Sequence, residues 1–443
     1  MRDLLRGRKA MDWDLATDAL PEEVIALFQR KTGPGEKRSF VIPTGIKHGT
    51  VSVHFNNLVM EVTTFRSESG FSDGRRPDRV EFGDSIEEDL SRRDFTMNAM
   101  AYALPSGPLV DPFDGTEDIK SGIIRTVGAP EERFSEDGLR PLRALRFASQ
   151  LGFTADEELL AAIPKAIPFT AKVASERIRD ELEKIISTEM PSTAFLLMEE
   201  TGLLELLIPE LLACRGAGKD GKGQFGFHRF DVLDHSLLAC DYASINGTWP
   251  GDKLTHTVRC LAALYHDIGK PGTVQSDEYG IRGFHGHEKE SAALTRQIML
   301  RFRYPNAVID RVCHLIEEHM FNYTPAWSDA AVRRFIIRVG KENLSDLFAL
   351  RRADAYAMQG EEPPRNMLLP LMERIEKTLA EGKTLSLRNL AVSGADLIAG
   401  GIPPGKHMGI ILNELLEAVL DDPDLNTKDK LLEIAGNLNQ RYK

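Results

Sequence analysis

Short β-rich apolar runs fill the first part of the chain, and helical spacing takes over afterwards. Phe40 to Thr44, His48 to Phe55 and Leu58 to Phe65 read as strands separated by turn residues. Met11 to Ala16 is a further strand candidate. Residues two apart share a face there, so Asp12 and Asp14 project together, with Trp13 and Leu15 opposite. Pro21 to Arg30 predicts a short helix with proline at its first position, broken at Gly33-Pro34-Gly35. Arg66 to Asp84 is a polar loop long enough to carry function. Arg93 to Ala103 predicts helix, Val110 to Gly115 a turn, and from Glu136 the pattern stays helical almost to the end. Loops are expected at Arg215 to Gly226, Asn246 to Lys253, Gln275 to Gly286 and Gln359 to Arg365, the first being the best linker candidate. The expected class is α+β: a small, mostly antiparallel sheet with helices, followed by an elongated all-α region.

Composition narrows this further. At 443 residues, two to four domains are expected. Apolar residues at 42% and charged residues at 28% are ordinary for a soluble protein. Cys214, Cys240, Cys260 and Cys313 form no Cys-x-x-Cys pair, which argues against a zinc-cysteine site or disulfide framework and fits a reducing cytoplasm. No run is long and apolar enough to span a bilayer, and the start lacks a signal-peptide core, so no membrane partner is expected. A net charge of −12 disfavours nucleic acid unless basic residues cluster locally.

Four constellations carry chemistry. Asp12 and Asp14 side by side repel unless a cation lies between them, and Mg²⁺ favours such hard oxygen ligands together with substrate phosphates. An isolated Asp-x-Asp is otherwise a solvated strand end. Arg92-Arg93-Asp94-Phe95-Thr96-Met97-Asn98 places guanidinium donors and short polar side chains near a helix start, which suits phosphate and ribose; a capped helix is the plainer reading. In Glu136 to Phe147, Arg140, Arg143 and Arg146 recur every three residues as one helical stripe, and Asp137 can pair with Arg140. An acid and an arginine on adjacent turns offer acceptors and donors to a base edge. The stripe leaves excess positive charge for an anion; a salt-bridged surface helix is the alternative. The fourth is histidine-rich: His235, His266-Asp267, His285-Gly286-His287, His314, His319 and Asp354, a set suiting a transition metal better than Mg²⁺.

These residues resemble a class II tRNA nucleotidyltransferase (CCA-adding enzymes and their poly(A) polymerase relatives) followed by an HD-type metal phosphohydrolase domain. The matching stretches are Arg2 to Arg8, Asp12-Trp13-Asp14, Arg92 to Ala99, Asp111 to Gly115, Glu136 to Phe147, Ser175 to Ile178, and the tail segments Val392 to Leu397 and Gly401 to Gly405. The resemblance implies a head at 1–125, a base- and tRNA-binding neck at 126–214, an HD domain at 227–360 and a helical tail at 361–443. It implies Mg²⁺ on Asp12 and Asp14. Arg2 and Arg93 would meet nucleotide phosphates or ribose, with Asp94 and Asn98 beside them. Asp137 and Arg140 would read the base of CTP or ATP, supported by Glu136, and Arg143 and Arg146 would add positive charge. Residues 66–84 resemble the loop tied to the switch from C to A addition. His235, His266, Asp267 and Asp354 would hold a divalent transition metal, with His287 and His319 as further ligands or phosphate contacts; in relatives that site is linked to phosphatase and cyclic phosphodiesterase activity. The family's Gly-Gly turn and first strand precede its Val-Arg-Asp, whereas here Met1 stands at the valine position. An upstream in-frame stretch encoding that turn is therefore expected, and without it poor polymerase activity. The implied function is template-independent C and A addition to tRNA. Alternatives are a CC-only, A-only or poly(A)-adding relative, a phosphohydrolase with a vestigial transferase domain, and a tRNA-binding protein without chemistry.

Overall fold

The computed structural model describes residues 1–9, 13–29, 39–42, 45–46, 49–55, 58–70, 79–217, 229–246, 252–276, 282–382 and 386–441. Asp12, the Gly33-Pro34-Gly35 break, the centre of the 66–84 segment and most of the Arg215 to Gly226 linker lie outside the described residues. The chain divides into two compact units, Met1–Ala213 with Ile298–Tyr304 and Cys214–Gln297 with Pro305–Lys443.

The first unit opens with α1 (Arg2–Leu5), then β1 (Asp14–Thr17), α2 (Pro21–Gln29), β2 (Ser39–Ile42), β3 (Thr50–Phe55) and β4 (Leu58–Thr64). The strands form one sheet in the order β1-β4-β3-β2, with β1 parallel to β4 and the other pairs antiparallel. One face packs Leu15, Val41, Val51, Val53, Met60 and Val62 against Val24, Ile25 and Phe28 of α2. Strand alternation then places Asp14, Ile42, Ser52, His54, Val59 and Glu61 on the opposite face.

The 66–84 segment is only partly a loop. Its arms β5 (Arg66–Ser69) and β6 (Arg79–Phe82) pair as an antiparallel hairpin, tied by Glu68 to Arg92. After α3 (Ile86–Ser91), the helix expected over Arg93 to Ala103 reduces to a 3₁₀ turn at Thr96–Asn98 and the short strand β7 (Ala101–Tyr102), which pairs with β8 (Leu109–Val110). Phe95 and Met97 are fully buried, and Phe95 bridges to Thr126, so tertiary pairing outweighs local helix propensity here. The sequence continues through α4 (Gly115–Ser121), β9 (Ile123–Ile124), α5 (Pro130–Glu136), α6 (Arg140–Leu151), β10 (Thr154–Ala155), α7 (Glu157–Thr170), α8 (Ser175–Ile186), α9 (Pro191–Glu200), α10 (Leu203–Leu207) and α11 (Pro209–Leu212).

The second unit is helical: α12 (Val232–Asn246), α13 (Lys253–Tyr265), the hairpin β11 (Val274–Ser276) and β12 (Arg282–Phe284), α14 (His287–Arg301), α15 (Asn306–Glu318), α16 (Asp329–Val339), α17 (Leu344–Gln359), α18 (Leu369–Ala380), α19 (Gly394–Ala399), α20 (His407–Asp421) and α21 (Lys428–Arg441). Helix α12 is buried on nearly every side, as its apolar sequence requires. Leu397, Ile411, Leu415, Val419, Leu431 and Ala435 make a separate core for the last three helices. All four cysteines are free and buried. Among the described residues, no helix is long and apolar enough to cross a membrane.

Candidate functional site

In the first unit, Asp14 begins β1 directly opposite Glu61 of parallel β4. Both are exposed on the sheet face away from α2. Like charges facing each other across adjacent strands are unfavourable, and a divalent cation between them removes the penalty. This acid row fits a metal. Glu61 carried no role in the sequence reading; it stands at the start of Glu61-Val62-Thr63-Thr64, with the same alternation that exposes Asp14.

The same unit holds a network built on the turn after α3. Arg2 Nη1 donates to Asn98 Oδ1 at 3.0 Å, and Asn98 Nδ2 donates to Asp94 Oδ1 at 3.1 Å. Asp94 Oδ2 accepts from Arg143 Nε at 2.9 Å and Nη2 at 2.5 Å. Burial alone would raise the Asp94 pKa, but the Arg143 charge and these hydrogen bonds hold it below the usual carboxylate range. Arg93 reaches the Asn98 carbonyl and Asp89.

The Glu136 to Phe147 motif differs from expectation. Glu136 ends α5 rather than starting a helix, Asp137 is extended (φ −141°, ψ 106°), and α6 begins at Arg140. The Asp137–Arg140 pair is not formed. Asp137 instead accepts from Arg177 of α8, Nη1 to Oδ1 at 3.2 Å and Nη2 to Oδ2 at 2.7 Å, and from the Leu139 amide at 3.0 Å. Arg140 pairs with Glu136 at 2.5 Å and donates to the Arg133 and Arg92 carbonyls. The i, i+3 rule holds only inside a helix, and Asp137 lies outside one. Gly138 is required at this turn: a Cβ there would come within 2.4 Å of the Phe169 carbonyl oxygen.

The arginine stripe is also not in excess. Arg140 has Glu136, Arg143 has Asp94, and Arg146 Nε lies 2.7 Å from Glu181 Oε2. Burial pulls the Arg146 pKa down to about 10 in spite of Glu181. Arg177 and Glu181 both belong to α8 and were given no role from sequence. Where Asp137 reads a nucleotide base, as the resemblance implies, Arg177→Ala is expected to free Asp137 and to lower the preference for CTP over UTP about tenfold, the scale of one good base contact. Competition between the two nucleotides measures this, and an unchanged preference would count against Arg177 as the group that positions Asp137.

The second unit buries the histidine cluster. His235 comes from α12, His266 and Asp267 from the end of α13, His287 from the start of α14, His319 from the end of α15 and Asp354 from α17; each is at most 5% exposed. His235 Nε2 lies 3.1 Å from His266 Nε2 and 3.3 Å from both Asp267 Oδ2 and Asp354 Oδ1. His287 Nε2 and His319 Nε2 face the other oxygen, Asp267 Oδ1, at 3.2 and 3.7 Å. His266, His287 and His319 each turn Nδ1 to a carbonyl three residues back, at 2.8, 2.8 and 2.6 Å. A proton on Nδ1 leaves Nε2 as an inward lone pair, the arrangement that orients imidazole toward a metal. His266, Asp267 and His319 form a second ligand group sharing His266 with His235 and Asp354. His314 is apart, bonded to the Val339 carbonyl at 2.7 Å. Lys270 Nζ, not singled out from sequence, sits 2.6 Å from Asp267 Oδ2. Gly269 allows this packing: a Cβ there would lie 2.5 Å from the Ser291 amide nitrogen.

Burial disfavours a charged His266, yet Asp267 and Asp354 outweigh it and push its pKa up to about 10. Burial and the His266 charge push His319 down to about 3. A metal held by this cluster would compete with a proton for His266. Its affinity is expected to rise with pH, with proton uptake by the buffer on loading. Titration calorimetry in buffers of different ionisation enthalpy reads this directly; buffer-independent heats would contradict it.

Comparison with known proteins matches these two regions. Residues 1–125 match the Poly A polymerase head domain, 152–214 the "Probable RNA and SrmB- binding site of polymerase A", and 232–359 the HD domain. The CCA-adding enzyme of Geobacillus stearothermophilus is 46% identical over 433 residues, covering 97% of this chain and 89% of its own. The CCA-adding enzyme of Lactiplantibacillus plantarum is 33% identical over 444 residues, covering 98% and 90%. The crystal structure of the Bacillus stearothermophilus CCA-adding enzyme in complex with CTP aligns with a TM-score of 0.69 at 30% identity, over 100% of this chain and 92% of that one. On this identity and coverage, the chain belongs to the CCA-adding enzyme family.

Proposed function

We propose that this chain adds C and A nucleotides to the 3′ end of tRNA from CTP and ATP, with protein side chains in place of a nucleic-acid template. The observation that carries this reading is that one unit joins the acid row of Asp14 and Glu61 to the Arg2–Asn98–Asp94–Arg143 network, with the Glu136–Arg140 turn at the head of the same helix α6. Asp12 and Asp14 would hold Mg²⁺, which supplies activation of the tRNA 3′-hydroxyl and neutralises the departing pyrophosphate. Arg2 and Arg93 would donate to the nucleotide's phosphates or ribose.

Asp137 and Arg140 choose the base. Cytosine and adenine both present an exocyclic amine donor beside a ring-nitrogen acceptor, so one carboxylate and one guanidinium can serve both. Uracil and guanine offer a carbonyl where the amine should be. Asp137 keeps acceptor capacity beyond its bonds to Arg177 and Leu139, and Arg140 keeps N–H groups beyond its three partners. Asp137→Ala is expected to cut discrimination against UTP about 10- to 100-fold. Incorporation of the four nucleotides on a tRNA lacking CCA tests it; an unaltered ranking would remove Asp137 from base choice.

The buried cluster of the second unit favours an added phosphohydrolase activity. His235, His266, Asp267 and Asp354 would hold a divalent transition metal, with Asp267 shared toward His287 and His319. Such a metal supplies a hydroxide nucleophile at neutral pH. Lys270 and the histidines would orient a phosphate beside it. His266→Ala is expected to abolish metal-dependent phosphate release and opening of a 2′,3′-cyclic phosphate while CTP transfer persists. Retained release would place that chemistry elsewhere.

A further inference from the structure

The sheet face that carries Asp14 also carries an unassigned aromatic pair. Phe40 of β2 stacks on His54 of β3, with ring centroids 4.4 Å apart and planes 14° from parallel. Phe40 is 56% exposed, and Ile42 and Val59 on the same face are 39% and 59% exposed. The register fixes where the pair lies. Ile42, Ser52, Glu61 and Asp14 form one row across all four strands, and Phe40, His54 and Val59 form the next. With strands about 4.8 Å apart and about 6.7 Å between same-face rows, His54 lies roughly 12 Å and Phe40 roughly 16 Å from Asp14.

An exposed aromatic ring on an edge strand, here Phe40 stacked on the half-buried His54 of the next strand, is costly to leave in water and invites edge-to-edge pairing. Its apolar neighbours widen the platform. The pair lies at the distance a single strand covers within a few nucleotides of the reacting end. Aromatic platforms hold single-stranded bases without regard to sequence, because every base has a π-face. That tolerance suits an acceptor whose end changes with each addition.

We propose that Phe40 and His54 form a stacking subsite for the unpaired bases of the RNA acceptor just upstream of the 3′-hydroxyl. This rests on the transferase reading above. The subsite positions RNA and leaves the incoming nucleotide to the Asp137 turn.

The test uses the full chain with Phe40→Ala, Phe40→Leu, Phe40→Trp and His54→Ala. Steady-state incorporation is followed on a tRNA lacking CCA, varying tRNA and CTP separately. Wild-type incorporation establishes the transferase reading by itself. The expected result is a KM for tRNA raised about tenfold in Phe40→Ala and Phe40→Leu, restored in Phe40→Trp, with the KM for CTP unmoved. Phe40→Leu keeps the apolar surface, so a loss there reports the ring. A tRNA KM unchanged in all variants overturns the proposal. So does a change confined to oligomeric state by light scattering, since the face would then meet a second copy of the chain.

Discussion

Replacing Asp14 with alanine is expected to lower CTP incorporation at least about a thousandfold while the protein stays folded. A metal-held hydroxyl and a neutralised leaving group contribute several kcal/mol to such a transfer, and each ~1.4 kcal/mol is tenfold in rate. The side chain is exposed at the start of β1, so its removal leaves no cavity. A melting temperature near wild type should accompany the loss, because surface changes of this kind fall within about 0.5 kcal/mol. Asp12→Ala should behave alike. Rapid-quench transfer to a tRNA lacking CCA measures both, and retained transfer in either would refute their assignment.

Glu181→Ala is expected to destabilise the first unit by about 3–5 kcal/mol, the cost of stranding a buried charge. Glu181 is 3% exposed at its side chain and pairs with Arg146, itself 9% exposed, with the half-exposed Lys184 at 2.8 Å, and more distantly with Arg143. Arg146 also lies over the Phe147 ring at 3.9 Å, so it cannot turn to solvent without losing that contact. A lower urea midpoint at unchanged slope is the readout. Replacing both partners by apolar residues, Glu181→Leu with Arg146→Met, should recover most of the loss. Equal damage in the double variant would show that packing, and not the stranded charge, sets the cost.

These two sites show what was legible in the sequence. The exposure of Asp14 and the inward turn of Leu15 follow from strand alternation, which needs only neighbouring residues. The same rule sorts Val51 and Val53 from Ser52 and His54. The partners of the arginine stripe were not legible. Arg143 meets Asp94 across 49 positions and Asp137 meets Arg177 across 40, and no local period encodes such a contact. The nearest acid in sequence, Asp137, therefore looked like the partner of Arg140, although its extended backbone removes it from the helix.

The histidine cluster was legible as a composition of ligands, not as a geometry. That His287 and His319 face the same oxygen of Asp267 depends on where three helix ends meet. Lys270 did leave a local signal, since it stands three residues after Asp267 in a tight turn. The 66–84 segment looked structureless because its polar residues hide two short paired arms.

The most direct measurement offers the protein tRNAs ending before C, after CC and after CCA, each with CTP, ATP or both, and follows 3′-end length. The expected result is growth to CCA and arrest there: CTP extends only the first, ATP extends only the second, and the third stays unchanged. No extension on any tRNA, or continued growth past CCA, would contradict the assignment of Asp12 and Asp14 to transfer and of Asp137 and Arg140 to base choice.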